Sequence, residues 1–513
     1  MSQRIERNKP KDSLEKVMKK SIAILTVSLI ALISAQSLYA REIFEEKRLD
    51  KRIDEFVKSI MDEFQIPGLA MAVVKDNRVY KEFAYGVKNL ATKVPLTVES
   101  VFHMASVSKP FSATAIMQLV EKGKINLDDP LIKYLPYFKM DDPRYQEITI
   151  KQMLTHTSGI PDENDYEWDK PQYDAEAAER YVRSLVGEKM IAAPGEKYRY
   201  SNMAFDILAD VIAKVSGVTF EDYVKQKILD PLGMKDSDFL RERIRPELQT
   251  SGHVFNLKPR VSEVYPYNRR HAPSSCLNAS IREMCNWAQA NMNGGAYKGK
   301  RILEKSSYEY LFEPQVRITE NRSIGLSWYI DQHRNNKTIS HGGKDVGYTS
   351  FMVMLPEKSL AVIAAINFDG EPIILDITFG VVDIMLGFEP TKPKIPIYII
   401  VSKAILDSGI GKAIEQYRAL KKYQPDRYIF RESQLNWLGH HLIDNNRLND
   451  GIEIFKLNVE MFPQSFNSYN SLGEAYLKAG NREFAIANYE KSLILNPKNN
   501  KAREQIERLQ QKK

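Results

Sequence analysis

Cysteine is nearly absent. The chain of 513 residues has two, Cys276 and Cys285, which excludes a disulfide scaffold. Two cysteines do not make up a zinc ligand set, so no zinc site is expected. Ser280-x-x-Glu283 resembles a capping box, placing Cys285 on a helix and Cys276 in the turn before it. Two buried small side chains are expected there rather than a disulfide. Long apolar runs are missing too. The best, residues 21–34, is uncharged but falls short of the roughly 20 residues a membrane span needs. With 27% charged residues and a mean hydropathy of −0.39, a polytopic membrane protein is excluded. Apolar residues at 43% and aromatics at 10% exclude wholesale disorder.

A basic run in the middle is also lacking. The formal charge is +7, but residues 1–20 carry +4, residues 41–400 carry −2 and residues 401–513 carry +5. The basicity sits at the two ends, and no nucleic-acid partner is expected. Lys19-Lys20 precedes the uncharged run, which turns polar at Gln36-Ser37 and reaches Ala40. That order reads as a secretory signal over residues 1–40, with Met18 an alternative start. The expected location is periplasmic or secreted. The alternative is a membrane tether through an uncleaved signal-anchor.

Periodicity lays out the rest. Residues 46–64 carry apolar positions at helical spacing, from Leu49 to Met61. Residues 69–87 read as two strands joined at Asp76-Asn77, and residues 111–122 as an apolar helix. Residues 325–368 read as successive strands, with a turn at Pro356-Glu357-Lys358, and residues 372–386 as a closing helix. Helix and strands first, a mixed middle, then strands and a helix predict an α+β fold whose sheet draws on both ends of the domain.

Three prolines in residues 389–398 mark a linker, taken as residues 391–402. Beyond it Gly439 and Gly473 stand 34 residues apart, as do Phe455 and Tyr489, Gly451 and Ala485, and Pro463 and Pro497. That period resembles the tetratricopeptide repeat. It implies a small all-α TPR-like domain over residues 403–513, docked on the rest, self-associating or recruiting a protein partner.

Ser106-Val107-Ser108-Lys109 puts Ser106 and Lys109 one turn apart at a helix start. A serine hydroxyl needs a base, and a lysine serves if its pKa is lowered. A second SxxK, Ser13 to Lys16, lies in the polar leader, so the spacing alone proves little. Its company is more telling. One Tyr-x-Asn occurs, Tyr200-Ser201-Asn202, and one His-x-Gly, His341-Gly342-Gly343. With LTHTSGIP at 154–161, PGEKYRYSN at 194–202 and GKINLDDPLIKYLP at 123–136, the set resembles the serine β-lactamase and penicillin-binding-protein superfamily, on its class C β-lactamase-related branch.

The resemblance covers about residues 45–390, giving a hydrolase domain over residues 41–390. It implies the β-lactamase/transpeptidase-like fold, an antiparallel sheet flanked by helices plus an all-helical subdomain. It implies Ser106 as nucleophile, Lys109 as its base and Tyr200 as a second base. Asn202 would bond Lys109 or substrate, and His341, Gly342 and Gly343 would line the site. The N–H groups of Ser106 and Lys344 would hold the oxyanion. No metal or organic cofactor is implied. His341 departs from the lysine that usually opens the third motif, removing a fixed cation and favouring ester, amide or peptide substrates over efficient β-lactam hydrolysis. The expected function is an exported serine hydrolase working on a small-molecule or peptide substrate. The competing reading is a non-catalytic platform that recruits a partner through the repeats. Residues 161–180 carry a net charge of −6, either a solvated face or a field favouring amine-bearing substrates. His103 and His156 are expected to serve packing and hydrogen bonding.

Overall fold

The computed structural model describes residue 15 and residues 17–21, 46–370 and 373–511. The expected leader over residues 1–40 falls almost wholly outside them. Among the described residues no helix is long and apolar enough to cross a membrane.

Helix α1 (46–64) runs into the hairpin of β1 (Gly68–Lys75) and β2 (Arg78–Gly86). Asp76 and Asn77 both take positive φ, 50° and 58°, the two left-handed residues a tight hairpin turn requires. Six further strands come from the far end of the domain: β3 (Val316–Arg317), β4 (Ser323–Ile324), β5 (Tyr329–His333), β6 (Asn336–Asp345), β7 (Tyr348–Leu355) and β8 (Leu360–Ile366). They form one antiparallel sheet in the order β2-β1-β8-β7-β6-β5-β4-β3. Sequence-distant β1 and β8 pair along their length, from Leu69 opposite Ile366 to Lys75 opposite Leu360.

The central strands are buried on both faces, and alternation sorts their side chains into two cores. Ala70, Ala72, Met352, Ile363 and Ala365 face a core built with α2 (Lys109–Glu121), α3 (Asn202–Ser216) and α4 (Ile281–Met292). Leu69, Met71, Phe351, Val362 and Ala364 face the opposite core, with α1 and α5 (Ile374–Met385). A methyl on Gly380 would stand 2.2 Å from the Phe56 ring, so glycine lets α5 press onto α1.

Seven helices follow: α6 (Ile397–Ser408), α7 (Ile410–Tyr423), α8 (Glu432–Asp444), α9 (Leu448–Met461), α10 (Phe466–Lys478), α11 (Arg482–Leu495) and α12 (Asn500–Gln511). Of residues 391–402, the second half is helical and buried, because Ile397, Ile399 and Val401 belong to the same core as Leu69 and Phe351. Helix pairs α8–α9 and α10–α11 begin 34 residues apart, at Glu432 and Phe466 and again at Leu448 and Arg482. In each pair a glycine meets an aromatic ring: Gly439 faces Phe455, and Gly473 faces Tyr489.

Candidate active site

The turn that opens α2 carries the site. Residues Ala105–Ser108 form a 3₁₀ turn, and Ala105 holds φ at +47°. A non-glycine residue in this region stores strain and persists only when its surroundings fix it. They do so here: the Ser108 hydroxyl donates to the Ala105 carbonyl at 2.7 Å, and Ser350 Oγ donates to the Met104 carbonyl at 2.6 Å. Ser108 thus serves the turn. Ser106 is left half-buried at its crest.

Lys109 Nζ donates to Ser106 Oγ at 3.0 Å, to Asn202 Oδ1 at 2.5 Å and to the Ser274 carbonyl at 2.8 Å. The lysine has no exposed surface. Desolvation lowers its pKa to about 8, against the raising pull of Asp206, Asp345 and Asp162. Tyr200 OH donates to Ser106 Oγ at 2.9 Å. Burial raises its pKa well above the usual phenol value, so the neutral form dominates near pH 7.

Asn202 opens α3, capped by Ser201 Oγ on the Ala204 N–H. Its N–H and Nδ2 both donate to Asp162 Oδ1, at 2.8 and 2.9 Å, and Nδ2 also donates to Tyr166 OH. That fork turns Oδ1 toward Lys109. Asp162, Tyr166 and the Ser274 carbonyl were not among the expected site residues. Asp162 directly follows the 154–161 stretch, a usable signal; a backbone carbonyl leaves none in sequence. His156 accepts from the Ser201 N–H at 3.1 Å and stacks on Tyr200 at 4.3 Å, a packing and bonding role.

Strand β6 closes the site. A methyl on Gly343 would stand 2.5 Å from the Met104 carbonyl oxygen and 2.7 Å from Ser106 N, so only glycine lets the strand lie against the nucleophile turn. Gly342 backs onto Phe351. β5 pairs with residues 336–340 and stops, leaving 341–345 bonded to β7 on one side alone. His341 is fully buried, with Nδ1 donating to the Gly342 carbonyl at 2.8 Å. Desolvation and then Lys109 drive its pKa down to about 3, so the ring is neutral near pH 7. The Lys344 side chain turns away, and Nζ donates to the Gly370 carbonyl at 2.9 Å.

A cleft of about 680 Å³ meets this cluster at Tyr166, whose hydroxyl accepts from Asn202; Ser106, Lys109 and Tyr200 are not among its walls. Its walls are the loop Asn164–Asp169, residues Val254, Asn256 and Arg260 of the hairpin His253–Asn256 and Lys258–Val261, and Val346 at the end of β6. The acidic stretch beside it is cross-braced: Glu163 to Tyr181, Glu167 to Arg270, Asp174 to Arg180, and Glu179 to Arg183 and Lys214. Of its eight acids, Glu167, Asp174 and Glu179 are paired with cations. Cys276 and Cys285 are free and buried, and Ser280 caps the helix carrying Cys285. Among the described residues no acidic, histidine and cysteine cluster could hold a metal ion.

An antiparallel sheet between two helical layers, with a buried lysine and a tyrosine converging on one serine at its edge, is the architecture of the penicillin-recognising serine hydrolases. Residues 53–376 match the Beta-lactamase family profile, and the chain belongs to that family. It is 25% identical over 322 residues to Protein flp of Staphylococcus aureus (strain MW2), covering 63% of this chain and 64% of that protein's length. It is 27% identical over 326 residues to Penicillin-binding protein 4* of Bacillus subtilis (strain 168), covering 59% and 68%. The octameric penicillin-binding protein homologue from Pyrococcus abyssi superposes with a TM-score of 0.59 at 25% identity, over 70% of this chain and 81% of that one.

Proposed function

We propose that the protein is an exported serine hydrolase that cleaves an ester, amide or peptide bond through an acyl-enzyme on Ser106. One observation carries the reading: Ser106 Oγ lies 3.0 Å from Lys109 Nζ and 2.9 Å from Tyr200 OH. With Lys109 neutral, the acceptors Asn202 Oδ1 and the Ser274 carbonyl hold two of its N–H bonds and turn the lone pair to Ser106. The Ser106 proton passes to Lys109 as Oγ attacks the substrate carbonyl. Tyr200, kept neutral by burial, relays that proton to the leaving group and then serves the deacylating water. The N–H groups of Ser106 and Lys344 are assigned to the oxyanion. Neutral His341 supplies no cation for a substrate carboxylate. This favours an esterase or D-amino-acid peptidase over an efficient β-lactamase. Export rests on the signal read over residues 1–40 of the sequence, and helices α8–α11 are assigned as two TPR-like repeats on their 34-residue period.

The test is covalent labelling of the full chain by a fluorophosphonate, followed by turnover of p-nitrophenyl esters, D-amino-acid amides and nitrocefin. Labelling that disappears in Ser106→Ala, with ester or amide turnover exceeding nitrocefin turnover, is expected. An unlabelled wild type, or equal labelling of Ser106→Ala, sinks the reading.

A further inference from the structure

The hairpin formed by His253–Asn256 and Lys258–Val261 is shared by two cavities. On one side Val254, Asn256, Arg260 and Val261 wall the cleft that reaches the site at Tyr166, the partner of Asn202. On the other, Val254 and Phe255 line a second cavity of about 540 Å³ with Tyr398 of α6 and Trp437 and His441 of α8. The hairpin has four residues in each strand, and two-stranded ribbons of this size are marginal alone in water. Something must hold it.

The hydrolase domain holds its base, where the His253 N–H donates to the Asn367 carbonyl and the Asp369 N–H to the His253 carbonyl, both at 3.1 Å, and the helical region holds its far end. Arg260 Nη2 donates to Asn445 Oδ1 at 2.9 Å, and Asn445 Nδ2 donates to Asn256 Oδ1 at 2.6 Å. One amide just past the end of α8 thus joins both strands. Asn445 is itself fixed, since Nδ2 also donates to the His441 carbonyl at 2.7 Å. Beside it the Phe255 ring meets Tyr398 at 5.2 Å and Trp437 at 5.8 Å, and Trp437 stacks on His441 at 3.7 Å. Polar and aromatic contacts bear on the hairpin from behind, at the same residues or next to those that face the cleft.

We propose that the C-terminal helical region sets one wall of the substrate cleft, with Asn445 and Trp437 as positioning residues that determine which substrates fit. This rests on the hydrolase reading above. The region then acts on the reaction from within the same chain, without any partner. Substrates long enough to lean on the hairpin feel it; substrates that end near Ser106 do not.

The test compares p-nitrophenyl acetate with p-nitrophenyl decanoate on full-length wild type, Asn445→Ala, Asn445→Asp and Trp437→Leu. Losing hydrogen bonds or packing of this kind raises KM for the decanoate by about 5-fold or more in Asn445→Ala and Trp437→Leu. For both, kcat and all acetate constants stay within about 2-fold. Asn445→Asp keeps the acceptor for Arg260 and should fall between Asn445→Ala and wild type. Equal changes for the two esters in the folded variants, or unchanged KM for both in Trp437→Leu and Asn445→Ala, would overturn the proposal. Fluorophosphonate labelling separates the two levels. A wild type that does not label loses the hydrolase reading itself, whereas labelled variants with unshifted KM lose only the positioning role.

Discussion

At the scale of residues, the proposed chemistry turns on Lys109. A buried ammonium is costly unless its donors are satisfied, and here all three are. Because burial lowers its pKa to about 8, the neutral base becomes the main form above that pH. The acylation rate is therefore expected to rise through pH 8 and level off above it, measured as kcat/KM against pH; a profile already flat at pH 6 would contradict Lys109 as base. Stability follows the same sign. Between about 8 and the unfolded value of 10.5, the unfolded chain holds the extra proton, so stability rises with pH across that window. Ser106, Lys109, Tyr200 and Asn202 were legible in sequence because helical spacing and short motifs fix them locally. The Asp162 and Tyr166 fork that orients Asn202 comes from a separate loop, and the Ser274 carbonyl from a one-turn helix. Only tertiary structure brings those together. Lys344 shows the reverse limit: its place after the glycine pair said nothing of its side chain, which bonds Gly370 away from the cluster.

At the scale of elements, the fold was legible wherever period and turn chemistry agreed. Asp76-Asn77 reads as a turn because both residues tolerate left-handed φ, and β7 and β8 read as strands because their apolar runs are bounded by a turn; their continuous burial shows them central in the sheet. The division at residues 391–402 was harder to read. Its prolines suggest an open linker, yet Ile397 starts a helix at once, as proline before a first turn permits. The glycine-aromatic steps of the C-terminal helices carry a prediction of their own. A methyl on Gly439 would stand 2.5–2.8 Å from the Phe455 ring. Overpacking of that kind costs about 1–3 kcal/mol, against about 1 kcal/mol gained by alanine in a helix. Gly439→Ala should therefore lower the melting temperature despite its better helix propensity. An equal or higher melting temperature by calorimetry would mean the α8–α9 contact relaxes freely.

At the scale of the whole molecule, the helical region and the hydrolase divide unequally. Helices α6–α9 share one core with the sheet: Ile397, Val401, Leu435, Leu438, Ile454 and Leu457 belong with Leu69, Phe351 and Val362. Beyond them the apolar clusters shrink to small sets around Phe455 with Leu472, and Tyr489 with Ile506. Fully burying one such aliphatic side chain contributes about 1.5–3 kcal/mol, while a whole domain retains about 5–15 kcal/mol net. Losing six at once is of the same order as the total. A chain ending at residue 392 keeps α1 and α5 on the sheet but would bare the part of this core that α6–α9 cover, and is expected to aggregate. A chain ending at residue 464 keeps the shared core and the Asn445 contacts, and is expected to label on Ser106 at the full-length rate. Gel filtration and fluorophosphonate labelling of the two truncations would decide it. A soluble, fully active 1–392 would mean that the core under α6–α9 tolerates exposure and that these helices merely rest on the rest of the chain. An inactive 1–464 would mean that the last helices, remote from the cleft, hold up the pairs before them through the stacking of one hairpin on the next.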